Sequence, residues 1–193
     1  MIRTYRFEPS SLDPSRREAL AYLRVREADA ETNALLSAAF REAKSLCDCR
    51  CRAGVFEIDF AEAVDPALRP RLTGCHRFVL FCATLGHEID RRIARYAATA
   101  PVKAAVLDAA AGALVEALCD KLTEALDKEL APVTLEKRFS PGYGDVPLSA
   151  QQRVFDLLEL SRIGVGLSSS MLLSPAKTVT AVIGIKSPEG SIL

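Results

Sequence analysis

The chain has 193 residues, with 25 Lys and Arg against 25 Asp and Glu, so its formal net charge is zero. That length suits a single domain with a real core, and the missing basic excess argues against nucleic acid as the main partner. No apolar run reaches the length of a membrane span and MIRTYRFEPS lacks the apolar centre of a signal peptide, so the sequence predicts a soluble, cytoplasmic protein with no membrane partner and six mostly reduced thiols.

In chain order, SLDPSRREALAYLRV predicts a short helix opened by a capping serine or aspartate. ADAETNALLSAAFREAKSL predicts a second helix. Its Leu35, Leu36, Ala39, Phe40, Ala43 and Leu46 recur at helical spacing, with Asp29 or Thr32 as the cap. GVFEIDF alternates like a half-buried strand. RFVLFCATLG, apolar throughout, predicts a buried strand ending near Gly86, followed by a helix over about 88–99. Pro101 then opens the longest periodic element, a helix over about 103–130.

On that helix Leu107, Ala111, Leu114, Leu118, Leu122 and Ala125 form one stripe. The other side carries Ala105, Ala109, Gly112 and Ala113, then Glu116 and Asp120. Such small residues admit a close neighbour, so the first half of the helix should be covered on both sides, with Glu116 at the edge of the cover. SAQQRVFDLLELSRI predicts a further capped helix, and SSSMLLSPAKTVTAVIGI a closing hairpin with SPAKT as its turn. The class is α+β: one domain over residues 1–193, a mixed, mainly antiparallel sheet flanked by helices, with a helical lead-in over about 1–52.

CDCRC, residues 47–51, invites a metal reading. Structural zinc sites usually space ligands C-x₂₋₄-C and need a second pair, whereas Cys75, Cys82 and Cys119 stand singly. Were the helix to continue through residue 51, only Cys47 and Cys51 would share a face. A helix end with incidental thiols is the reading preferred, and no metal is expected. His76 and His87 fit no nucleophile–base spacing and are assigned surface or capping roles, so no catalytic residue is named. Nucleotide-loop and zinc-protease motifs are absent from the sequence.

RFSPGYGDVP, residues 138–147, is the densest local signal. It reads either as a plain connector between helices or as a small-molecule clamp. For the clamp, Pro141 stiffens the chain and Gly142 lets a ligand approach the backbone. Arg138 offers a planar fork for a carboxylate, and Tyr143 a rigid face with one hydroxyl.

Arg138, Pro141, Gly142 and Tyr143 match an R-x-x-P-G-Y loop, and here the sequence resembles the activation domain of cobalamin-dependent methionine synthase in its stand-alone form. FVLFCATLGHEID, KAAVLDAAAGALVEALCDKL and SSSMLLSPAKTVTAVIGI resemble, in order, that family's strand and turn, long helix and closing hairpin. The resemblance implies S-adenosylmethionine as ligand and a cobalamin-bearing synthase chain as partner, with cobalamin held by that partner. Flavodoxin or another low-potential reductant would supply one electron as oxidised cob(II)alamin is remethylated.

By the same resemblance Arg138 pairs with the methionyl carboxylate, the stretch Phe139, Ser140, Pro141 and Gly142 meets the nucleoside, and Tyr143 packs on it. Glu116 borders the cleft. Met171, Leu172 and Leu173 stand where the family carries an aromatic side chain in the ligand site. The chain would be an accessory domain of a methyltransferase in methionine biosynthesis. The alternative is a non-catalytic binding or assembly protein for another corrinoid methyltransferase.

Overall fold

The computed structural model, which describes residues 1–187, begins with an element absent from the sequence reading: strand β1 (Ile2–Arg6). Helix α1 (Arg16–Tyr22) follows, its first turn closed by the Glu18 amide donating to Ser15 Oγ at 3.2 Å. Helix α2 (Ala30–Leu46) is capped by Asp29, whose carboxylate accepts from the Thr32 amide at 2.8 Å. The helix stops at Leu46, so CDCRC is not a helix end extending to residue 51. Cys47 is already extended, and strand β2 (Arg50–Glu57) begins three residues on.

Short helices α3 (Ala61–Val64) and α4 (Leu68–Arg71) lead to strand β3 (Arg77–Thr84), helix α5 (His87–Thr99) and helix α6 (Pro101–Leu130). Strand β4 (Thr134–Leu135) and the arginine loop come next, then helix α7 (Ala150–Leu157), strands β5 (Gly166–Leu167) and β6 (Leu173–Ser174), and strand β7 (Thr178–Lys186). The class is α+β as read. The main sheet runs β1-β2-β3-β7-β4, and each of its pairings is antiparallel. Among the described residues no helix is long and apolar enough to cross a membrane.

Three expectations change. GVFEIDF is strand only over residues 54–57, the end of β2. Pairing to β1 and β3 holds the chain extended over Arg50–Glu57, and Ile58–Phe60 turns as a 3-10 helix. Nor is there a closing hairpin. β7 is apolar on both faces and is buried between β3 and β4, while β6 pairs with β5 in a separate two-stranded ribbon. SAQQRVFDLLELSRI is not one capped helix either. The Ser149 side chain makes no cap bond, and α7 ends before Glu159 turns left-handed at φ 48°. Arg52 holds the break, donating to the Leu158 carbonyl at 2.5 Å and to Glu159 Oε2 at 2.9 Å. Nothing local announces that distant partner.

The lead-in over residues 1–52 is likewise mixed, since it contains β1 and the start of β2. The sheet separates two apolar clusters. On one face Val79, Phe81, Ala83, Ile183 and Ile185 pack with Leu107, Leu114, Leu118 and Leu122 of α6. On the other, Phe78, Leu80, Cys82 and Val182 pack with Leu68, Leu72, Val154 and Leu158. A third cluster joins Ala19 of α1 and Leu36 and Ala39 of α2 to Val106, Ala110 and Ala113 of α6. The first half of α6 is thus covered on both sides, as its small residues imply. Gly112 permits that closeness, because a Cβ there would stand 3.0 Å from the Tyr22 ring.

Candidate functional site

Glu116 and Asp120 lie one turn apart on α6 and face the same way. Both meet Arg138. Its Nη2 donates to Glu116 Oε2 at 2.8 Å, and its Nη1 to Asp120 Oδ1 at 2.5 Å. Arg138 is therefore no exposed loop residue; its side chain is only 27 % exposed. Burial works against the guanidinium charge, and the two carboxylate bonds more than offset it, leaving the group firmly protonated.

The loop beyond is anchored at several points. Phe139 bridges to Val182 of β7 through both backbone bonds, at 3.0 and 2.8 Å. The Arg71 guanidinium lies over the Phe139 ring, 5.0 Å from its centroid. Pro141 is buried. Gly142 turns at φ 88°, and its amide donates to the Val146 carbonyl at 2.9 Å, closing the loop on itself. A Cβ at Gly142 would also press on Leu148 at 3.2 Å. The result is a rigid turn that leaves Tyr143 presented to solvent, 74 % exposed.

Two open grooves flank the segment before the loop. One, of about 490 Å³, is lined by Thr123, Leu135, Glu136, Lys137 and Arg138. The other, of about 370 Å³, runs past Arg71, Thr73, Cys75, Phe139 and Gly184. Both volumes fall in the range of small-molecule sites.

The lead-in adds groups that the sequence did not single out. Burial raises the Glu18 carboxyl above its ordinary value, the nearby Glu116 and Asp120 charges raise it further, and Arg138 opposes them. Tyr22 is raised by burial and then by Glu116, Glu18 and Tyr143. Helix α1 thus brings Glu18 and Tyr22 into electrical reach of the arginine cluster. Two carboxylates bond the guanidinium and the Glu18 carboxyl lies within reach of their charge, a balance that favours a cationic ligand. Among the described residues Arg138 makes only these two side-chain hydrogen bonds, which leaves further N–H donors for an anion.

Arg138 and Glu116 therefore meet at the middle of α6, while Phe139, Ser140, Pro141, Gly142 and Tyr143 follow in the loop, Phe139 fixed to β7 and Gly142 to Val146. Met171 and Leu172 have other contacts. The Met171 carbonyl accepts from Gln151 Nε2 at 2.6 Å, while Gln151 Oε1 accepts from Thr180 Oγ1 at 2.9 Å. Leu172 is 63 % exposed, and its amide donates to Ser168 Oγ at 3.0 Å. Asp120 had a readable signal in its four-residue spacing from Glu116. Glu18, Tyr22 and Arg71 had none, since only the packing of α1 and α4 brings them near.

No protein-family model matches the chain, and no curated protein matches it. Among solved structures it is similar to the crystal structure of the MetH reactivation domain bound to AdoHcy, with a TM-score of 0.69 and 16 % sequence identity. The superposition covers 100 % of this chain and 80 % of that one. Over its whole length, then, this chain has the fold of the MetH reactivation domain.

Proposed function

We propose that the chain binds S-adenosylmethionine at the arginine loop and serves as the reactivation partner of a cobalamin-dependent methionine synthase. The observation that carries this reading is the convergence of Glu116, Arg138 and the rigid 138–147 loop in a fold whose solved neighbour is bound to AdoHcy. The residues fit the ligand's chemistry. A sulfonium and an ammonium suit the carboxylates of Glu18, Glu116 and Asp120, and a carboxylate suits the unused donors of Arg138. Tyr143 offers an exposed ring for the nucleoside, next to an exposed Gly142.

In this reading the work of the chain is orientation. Arg138 holds the amino-acid end, already locked in direction by its two carboxylate bonds, and the stiff loop holds the nucleoside. The methyl group then points outward in one pose rather than many. Cobalamin, held by the partner, would accept that methyl together with one electron from flavodoxin or another low-potential reductant. Leu172, apolar and exposed, belongs to the surface offered to ligand or partner.

One observation favours the second reading, a non-catalytic assembly protein for another corrinoid methyltransferase. Glu116 and Asp120 already occupy Arg138, and an arginine so held can be purely structural. A coupled assay separates the two. An inactive, oxidised synthase lacking its own module is mixed with this chain, reductant and S-adenosylmethionine. Recovered turnover that requires both the chain and the ligand supports reactivation. No recovery and no association with the synthase, with tight association to a different corrinoid methyltransferase, would support the assembly reading.

A further inference from the structure

The CDCRC segment plays no part in the arginine site, yet the fold gives its first two thiols a particular arrangement. Cys47 leaves α2 in an extended conformation, φ −78° and ψ 144°, so side chains alternate from there. Asp48 points one way, toward Arg6 at 3.5 Å and Arg50 at 3.1 Å. Cys47 and Cys49 share the other side, and their sulfurs lie 3.4 Å apart with the Cys49 thiol donating to Cys47. This extended segment is pinned at two points. The Asp48 amide donates to the Leu85 carbonyl at 2.9 Å, and the Cys49 carbonyl accepts from the Phe7 amide at 3.2 Å.

The two thiols differ. Cys47 is half-buried and reachable from solvent, whereas Cys49 is 3 % exposed. The hydrogen bond from Cys49 pulls the Cys47 thiol below its ordinary value; burial opposes, its own backbone assists, and the Asp48 charge opposes while that of Lys44 assists. The same bond, with burial, pushes Cys49 up. The other cysteines are less suited: Cys51, Cys82 and Cys119 are fully enclosed, and burial raises the half-buried Cys75.

We propose that Cys47 and Cys49 form a thiol–disulfide exchange site for low-molecular-weight disulfides of the glutathione type. The Cys47 thiolate attacks one sulfur of the disulfide, forming a mixed disulfide and expelling one thiolate, which takes up a proton. Cys49 then loses its proton and attacks the Cys47 sulfur, expelling the second thiol and closing a Cys47–Cys49 bond. Two protein thiols are oxidised, and one small disulfide is reduced to two thiols. Closure needs the sulfurs to approach by only about 1.4 Å, to the ordinary bond length near 2.05 Å.

The test exposes the full chain to glutathione buffers of rising oxidised fraction, quenches with acid and alkylator, and maps peptides by mass. The wild type should lose two hydrogens in the peptide holding residues 47–49, with no lasting adduct. Cys49→Ser should stop at one glutathione on Cys47, and Cys47→Ser should take up none in that peptide. A lasting adduct on wild-type Cys47, a bond to a different cysteine, or no reaction before the glutathione buffer is almost wholly oxidised would each overturn the proposal. The wild-type map decides the question even if Cys49→Ser disturbs the core.

Discussion

The two halves of α6 obey different rules. Over its first half, up to Val115, the helix is wedged between the sheet and α1 and α2, and Ala110, Ala111, Ala113 and Leu114 are all fully enclosed. From Glu116 onward the outer cover ends, and the face it leaves is filled by Glu116, Asp120 and the arginine returning from the loop. One half is shaped by packing, where a missing methylene leaves a void. In the other half charge is left facing an open groove, where a missing group leaves unmatched charge instead. The proposed ligand site belongs to the half where the second layer runs out.

The sharpest way to test the packed half is Leu114→Ala. It should cost about 2–5 kcal/mol in denaturant melts, because the site cannot collapse between two layers. Ligand affinity per folded molecule should stay unchanged. A cost below about 1 kcal/mol would show that the cover is loose.

In the charged half, Arg138→Ala should cost about 1–2 kcal/mol of stability, between the values for an exposed and a buried ion pair. Adding Glu116→Gln should restore part of that loss, because the penalty comes from carboxylates left without their cation. If the two single changes simply add in the double variant, with no recovery, the two residues do not act as a pair.

The smallest effect belongs to Glu18. Its carboxyl is held above its ordinary value of 4.5 in the folded chain, so the stabilising contribution is present below that value and lost as pH rises through the folded pKa. Glu18→Gln should therefore raise Tm slightly at about pH 7 and leave it unchanged below about pH 4. Saturating S-adenosylmethionine should erase the difference, since a bound cation relieves the same crowding. A Tm gain that persists at low pH would mean that packing, not charge, is responsible.

How much of this was legible follows the same division. The stripes of α6, the burial of β3 and the cap at Asp29 are local patterns, and all were readable. The loop could be read as stiff from Pro141 and Gly142, and it is. Strand partners were not readable. β7 was given a hairpin mate from its neighbouring segment, but its two apolar faces are satisfied only between β3 and β4. The break after α7 depends on Arg52, more than a hundred residues away. Glu116 could be suspected from its place beyond the alanines, but its bond to Arg138 needed the chain to turn back after β4. Glu18 and Tyr22 reach the site through helix packing alone.

The central claim is that the arginine cluster is a ligand site and not only a structural clasp. Calorimetric titration of the wild type and Arg138→Ala with S-adenosylmethionine and with S-adenosylhomocysteine tests it most directly. Losing a charge-assisted bond to a carboxylate costs about 1.5–3 kcal/mol, so the variant should bind both ligands roughly tenfold to hundredfold more weakly while remaining folded. Arg138→Lys should recover only part of the loss, because a point charge lacks the paired donors. Equal affinity in wild type and Arg138→Ala, or no binding by the wild type, would contradict the account.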